Sequence, residues 1–389
     1  MVKVNSILYM IIMSILWILN LFNGTGIGQT YQTTEKARVI ILMVFIIMVI
    51  YECKSRHFWI DKKDFIVFGG MIFIIVIVSN VKGYGNMGFH YLYAFLLVYI
   101  LSKIEVHFLA IRLTGIIYAI MGMGVLYIYD HGTIFSGWNG NSIGMIGLYS
   151  FLIFLISFYD VSDMKSKIII LSITAIYIRL IEPTDSRSST IFAIFAALFA
   201  LSILPRKFII KTNRRYYWWL LIPLIIAIIA INISHSAYMV GLNLWSLENF
   251  QKPLFNGRDR LWENGFKILK ENLFCGRGTF EGNWHNCIIT ILTAYGCIGG
   301  MFWVSSMQRI LAKGRKWMKD VIVVGSIITF IMMYIQQSVE LGLVEEKPNI
   351  LPYIVLGIML GRVKMLEKYD CIGDIEGKYD RDKYYNSNI

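Results

Sequence analysis

The chain has 389 residues, of which 57% are hydrophobic and only 16% charged. A soluble domain carries about 25% charged residues, so this composition excludes an ordinary water-soluble protein and points to a polytopic membrane protein. The net charge of +12 would suit a nucleic-acid partner, but basic cytoplasmic connections of a membrane protein produce the same excess.

Stretches of about 20 mainly apolar residues mark candidate membrane spans. Twelve occur, near 6–22, 38–52, 65–80, 88–102, 108–129, 142–159, 167–181, 189–204, 217–234, 287–307, 320–336 and 349–363. The expected fold is therefore all-α, with about 12 transmembrane helices in one domain, 1–363, followed by a polar cytoplasmic tail, 364–389. With the first residues inside, most of the 37 Lys and Arg fall in inner connections, so both termini are expected in the cytoplasm of a plasma-membrane protein. This alternation absorbs the positive charge, and no nucleic-acid partner is expected. The 24 Phe, 23 Tyr and 10 Trp suit interfacial aromatic belts. Cys275 and Cys287 fall on one side of the membrane, where a disulfide is open.

The outer connections are short and poor in charge, except one near 235–286. It holds Lys252, Arg258, Arg260, Lys267, Lys270 and Arg277, Glu248, Asp259, Glu263, Glu271 and Glu281, with Trp245, Trp262, Trp284, His235 and His285. Within it, 256–278 reads as an amphipathic helix. Leu261, Trp262, Phe266, Leu269 and Leu273 recur at three- and four-residue spacing, Asn256 stands at the cap position, and Gly276 and Gly278 end the helix. Its apolar face would lie on the outer membrane surface. Arg258 and Arg260 then occupy the first turn, where free N–H groups and the helix dipole favour phosphate. The plainer alternative is that both arginines reach lipid headgroups. His285 stands at the mouth of the next span, as a proton acceptor or as an interfacial histidine without a role.

The stretch "GRDRLWENGFKILKENLFCGRG…HNCIITILTAYGCIGG" resembles the signature of the O-antigen ligase/polymerase (Wzy/WaaL-like) superfamily, with Gly257, Arg258, Trp262, Gly276, Gly278, His285, Asn286, Gly296 and Gly299 matching. Two shorter elements agree: "SGWNGNSIG" with Asn141, and "TDSRSS" with Ser186 and Arg187. Where the family's middle motif often has a proline before the asparagine, this chain has Gly140. The resemblance implies a GT-C-like fold and an inverting glycosyltransferase acting on an undecaprenyl-pyrophosphate-linked glycan donor and a glycan acceptor at the outer membrane face; a metal-independent reaction without cofactor is expected from the residues of the first outer connection. The resemblance also implies membrane lipid as surroundings, and a chain-length regulator and a flippase as further candidate partners. Arg258 and Arg187 would bind the leaving pyrophosphate, His285 would take the proton, and Asn286 or a loop carboxylate would orient the imidazole or sugar. Trp262, Arg260 and Asn141 complete the expected substrate contacts. Related enzymes with a metal use an acidic pair in the first outer connection, which has only Glu35 here. Asp380-Arg381-Asp382 mimics a metal motif but lies in the expected tail.

Polymerase and ligase share this donor chemistry. The Ile- and Lys-rich composition fits a low-GC organism without a lipid A acceptor, which favours polymerase. A transporter of polyprenyl-linked sugars is the reading from another class. It would place ionisable groups at mid-membrane, whereas Arg179, Glu182, Asp185 and Arg187 cluster at a span end.

Overall fold

The computed structural model describes all residues except 1, 23–31, 55–61, 133–134, 136–137, 160–162, 205–212, 235, 251–252, 346 and 377–389. The basic connection 205–212, most of the first outer connection, His235, Lys252 and the Asp380–Asp382 motif thus lie outside the described residues. Apolar runs this long satisfy their own backbone as helices, and among the described residues the chain is all-helical with no β-strand. In chain order the helices are α1 (Ser6–Phe22), α2 (Thr33–Lys54), α3 (Lys62–Val81), α4 (Gly85–Leu101), α5 (Phe108–His131), α6 (Gly140–Leu155), α7 (Met164–Ile181), α8 (Arg187–Ala200), α9 (Asn213–Ile233), α10 (Ala237–Phe250), α11 (Arg258–Glu271), α12 (Cys287–Lys313), α13 (Val321–Gln336) and α14 (Leu351–Glu376). α1–α9 and α12–α14 fall on the predicted apolar segments. Among the described residues, four segments are long and apolar enough to cross a membrane: Phe108–His131, Gly140–Phe158, Tyr216–Ile233 and Cys287–Trp317. Shorter apolar helices accompany them, among them Ser6–Phe22 and Val321–Gln336.

Helices that are apolar all round belong inside. Every residue of α6 from Ile143 to Leu155 is buried, as is nearly all of α13. α5 closes on α6 at Gly122, where a Cβ would meet Ser150 and the Tyr177 hydroxyl. Small residues permit such close approach of helices. The outer helices show the converse pattern. On α2, Val39, Ile40, Met43, Ile47 and Ile50 are each more than half exposed. An apolar surface of this extent is untenable in water and suits a hydrocarbon surround.

α12 is broken at Gly296, which has φ 66° and ψ −171°. Backbone groups freed inside an apolar helix must find partners. Here the turn 273–278 supplies them in both directions. Arg277 N–H and Gly278 N–H donate to the carbonyls of Thr293 (2.9 Å) and Ala294 (2.7 Å), while Cys297 N–H and Ile298 N–H donate to those of Leu273 (2.8 Å) and Phe274 (3.3 Å). A Cβ at Gly296 would collide with the Phe274 carbonyl, and one at Gly276 with the Ala294–Tyr295 backbone. The expected helix over 256–278 therefore stops at Glu271, because residues 273–278 are committed to this splice.

Polar contacts also organise the opposite rim. Asp320 Oδ1 caps α13 by accepting from Ile322 N–H and Val323 N–H, both at 3.1 Å. Its Oδ2 takes both Nε and Nη2 of Arg362, at 3.0 and 2.7 Å. Lys368 reaches Glu105 at 2.8 Å and Lys316 reaches Asp370 at 2.7 Å. The segment 364–376, the start of the expected polar tail, forms the last part of α14 and is tied to this rim. Arg362→Ala would leave the Asp320 carboxylate, 6% exposed, without its cation. Loss of one partner of a buried pair costs about 3–5 kcal/mol, so detergent-solubilised protein should unfold at a clearly lower temperature, which a thermal melt would read directly.

Candidate functional site

Three segments far apart in sequence meet at the rim where α5, α7 and α13 end and α6, α8 and α12 begin. Their ends enclose a cleft of about 420 Å³, lined by Tyr129 of α5, Asn139, Gly140 and Asn141 at the start of α6, Pro183, Thr184 and Asp185 after α7, Asn256, Arg258 and Leu261 around the start of α11, and His285. That volume lies within the range of small-molecule sites. Gly140 has a steric reason: a Cβ there would strike the Thr184 carbonyl. The two shorter motifs therefore abut directly.

α11 is set by its buried face. Trp262 is fully buried, its Nε1 donating to the Trp284 carbonyl at 2.8 Å. Gly265 closes on Ile289, and Leu269 is buried beside them. The apolar face thus packs on the start of α12 and on α9, not on lipid as expected. Arg258 lies four positions before Trp262, on the same face, and is drawn inward with it. Its Nη2 is 3.0 Å from Glu340 Oε1, with side-chain exposures of 14% and 7%. The cap also differs from expectation. Asn256 (φ 52°) and Gly257 (φ 77°) both turn left-handed, Gly257 is the N-cap, and Asn256 lines the cleft.

His285 is fixed between two anchors. Trp284 before it is buried under α11. Asn286 after it caps α12, its Oδ1 accepting from Ile288 N–H and Ile289 N–H at 3.1 Å. Asn286 Nδ2 donates to the carbonyls of Pro223 (2.8 Å) and Ser338 (3.1 Å). Held this way, His285 takes φ 46°, a conformation few non-glycine residues adopt and one that clusters at functional sites. Its Nδ1 is buried without a hydrogen-bond partner and lies 3.8 Å from Glu340 Oε2. Burial, and then the Arg258 charge, pushes the imidazole down to about 4. It is therefore neutral at pH 7 and able to accept a proton.

Glu340 comes from the 337–350 connection, one of those expected to be short and poor in charge. Burial raises its carboxyl above the ordinary range; Arg258 and the Ser188 hydroxyl, 3.4 Å from Oε1, offset part of this. The connection is cross-linked to its neighbours. Gln337 Nε2 donates to the Tyr149 hydroxyl at 2.8 Å, its Oε1 accepts from Leu343 N–H at 2.8 Å, and its carbonyl accepts from Cys287 N–H at 3.0 Å. The one available signal was the polar run Gln336-Gln337-Ser338 ahead of Glu340, standing between two apolar segments.

Of the expected site residues, Arg258, His285 and Asn141 meet at the cleft. Trp262 and Asn286 do not reach it, because their polar atoms are spent on backbone partners. Arg260 is exposed on another face of α11. Arg187 turns away, donating to Ser246 Oγ (3.4 Å) and the Pro253 carbonyl (3.3 Å); its neighbour Ser188 joins the site instead. Arg179 and Glu182 pair with each other. Cys275 and Cys287 are free thiols, the first exposed and the second buried. Compared with known proteins, the chain matches no family model and no curated sequence.

Proposed function

We propose that the chain is a polysaccharide polymerase that transfers an undecaprenyl-pyrophosphate-linked oligosaccharide to a sugar hydroxyl at the outer face of the plasma membrane. The observation that carries this reading is a guanidinium and a neutral imidazole sharing one rim cleft, both backed by a buried carboxylate. Arg258, at a helix start, is chemically suited to a phosphate and to the charge that grows on it as it leaves. His285 suits removal of the acceptor proton. In the transfer, the acceptor oxygen forms a bond to the sugar C1 while the C1–O bond to pyrophosphate breaks. The electron pair leaves on the pyrophosphate oxygen, and the acceptor proton passes to Nε2, since Nδ1 faces Glu340. Asn141, at the opposite wall, is positioned to hydrogen-bond sugar or phosphate. The superfamily resemblance supports the choice of donor, and the alternating helices with their apolar outer surface support twelve spans with the cleft outside.

The deciding experiment supplies purified protein with a defined polyprenyl-pyrophosphate oligosaccharide. Lengthened oligosaccharide together with free polyprenyl pyrophosphate is the expected result. Donor consumption without lengthening, only on addition of a lipid-anchored glycan acceptor, would favour the ligase. Unchanged donor moved across a vesicle membrane would favour a transporter. Topology is testable separately with single cysteines at the exposed Glu248 and Lys165, in a background without native cysteines. A membrane-impermeant thiol reagent on whole cells should label the first alone, and equal labelling would sink the twelve-span arrangement.

A further inference from the structure

We propose that Glu340 is a positioning residue that changes partners when the donor arrives: it holds Arg258 in the empty cleft and closes on Nδ1 of His285 once phosphate takes Arg258. This rests on the reading of Arg258 as phosphate clamp and His285 as proton acceptor. Its two carboxylate oxygens already face the two partners separately. Oε1 is 3.0 Å from Arg258 Nη2, a full hydrogen bond, and Oε2 is 3.8 Å from His285 Nδ1, short of one. A movement of roughly 1 Å would complete the second. Nδ1 is buried with no hydrogen-bond partner, and an unmet buried polar atom is costly, so the imidazole gains from that closure. Arg258 gains as well, because a phosphate accepts a bidentate guanidinium contact.

The exchange changes the chemistry of the base. With Arg258 paired to Glu340, burial first and then the Arg258 charge keep His285 a weak base. Among the described residues, the other titratable groups facing the cleft are Asp185 after α7 and Tyr129 of α5. Once phosphate neutralises Arg258, the carboxylate charge falls on Nδ1–H. That fixes the tautomer with Nε2 free and makes Nε2 more basic. The acceptor is then deprotonated only when a donor is loaded. Glu340 pays for this by competing with the donor for Arg258.

That competition gives an effect that a merely structural residue would not show. With inorganic pyrophosphate as probe and the full-length protein, Glu340→Gln should bind about tenfold tighter, because the rival carboxylate is gone, while turnover falls at least about 10²-fold. Glu340→Asp keeps the charge and should recover much of the turnover and the wild-type pH profile. Imidazole ¹⁵N spectra, with His285 assigned by its loss in His285→Asn, should show pyrophosphate raising the His285 pKa by more in the wild type than in Glu340→Gln. Weaker pyrophosphate binding by Glu340→Gln, or the same His285 shift in both proteins, would overturn the exchange while leaving the clamp standing. Pyrophosphate binding that survives Arg258→Ala would instead remove the clamp, and the exchange with it. Should Glu340→Gln not fold, Glu340→Ala carries the same comparison, with tighter pyrophosphate binding and a His285 shift below that of the wild type, because it too lacks the carboxylate.

Discussion

Replacement of His285 by alanine should lower turnover by about 10²- to 10⁴-fold, the range over which a general base contributes, while donor binding changes far less. The two quantities separate because different side chains serve them. The imidazole is neutral at pH 7 and available for a proton, whereas the proposed phosphate clamp is Arg258. Alanine is also strained at φ 46°, so the second variant is His285→Asn. Asparagine tolerates the left-handed conformation but cannot act as the base, so it should fold normally and be equally inactive. The readouts are oligosaccharide lengthening by purified protein and polymer length in cells at matched membrane levels. Normal polymer from either variant would end the assignment of His285 as base.

Arg258→Lys should be nearly as damaging, with about 10²- to 10³-fold lost, comparable to removal of one transition-state donor. Lysine retains the charge and can still approach Glu340, but it lacks the planar fork that meets two phosphate oxygens. The loss should fall on donor binding as well as on turnover, unlike that of His285→Ala. Arg260→Ala is the control, since this side chain is exposed on another face of α11, and its loss should cost only a few-fold. If Arg260→Ala matched Arg258→Lys, general positive charge rather than one placed fork would be holding the donor.

Apolar run length located the helices well, because a membrane leaves the backbone few alternatives. Of the motif residues, Asn141, Arg258 and His285, distant in sequence, line one cleft. Side-chain roles were harder to read. Trp262 and Asn286 carry the residue types expected at a sugar or phosphate site, yet they bind the Trp284, Pro223 and Ser338 carbonyls. Those partners follow from tertiary packing and leave no periodic trace. Arg187 went astray through its length, which lets its fork reach Ser246 and Pro253 while the short Ser188 beside it stays at the site. Glu340 was hidden because a single carboxylate in a connection has no pattern at all; only its burial between Arg258 and His285 marks it out.

The splice at Gly296 has a bearing on how such a chain can diverge. The turn that carries the chain from α11 toward His285 is fastened to α12 by main-chain hydrogen bonds, through the carbonyls of Leu273, Phe274, Thr293 and Ala294. These bonds do not depend on the side chains of Phe274, Cys275 and Arg277, so mutation can rewrite those residues without breaking them. Gly276 and Gly296 cannot be rewritten, since any Cβ there would collide with the opposing backbone. Two chains descended from a common ancestor could therefore keep this architecture while losing nearly every matching side chain around it. The inherited mark would be the interval between the two glycines, with His285 at a fixed place inside it.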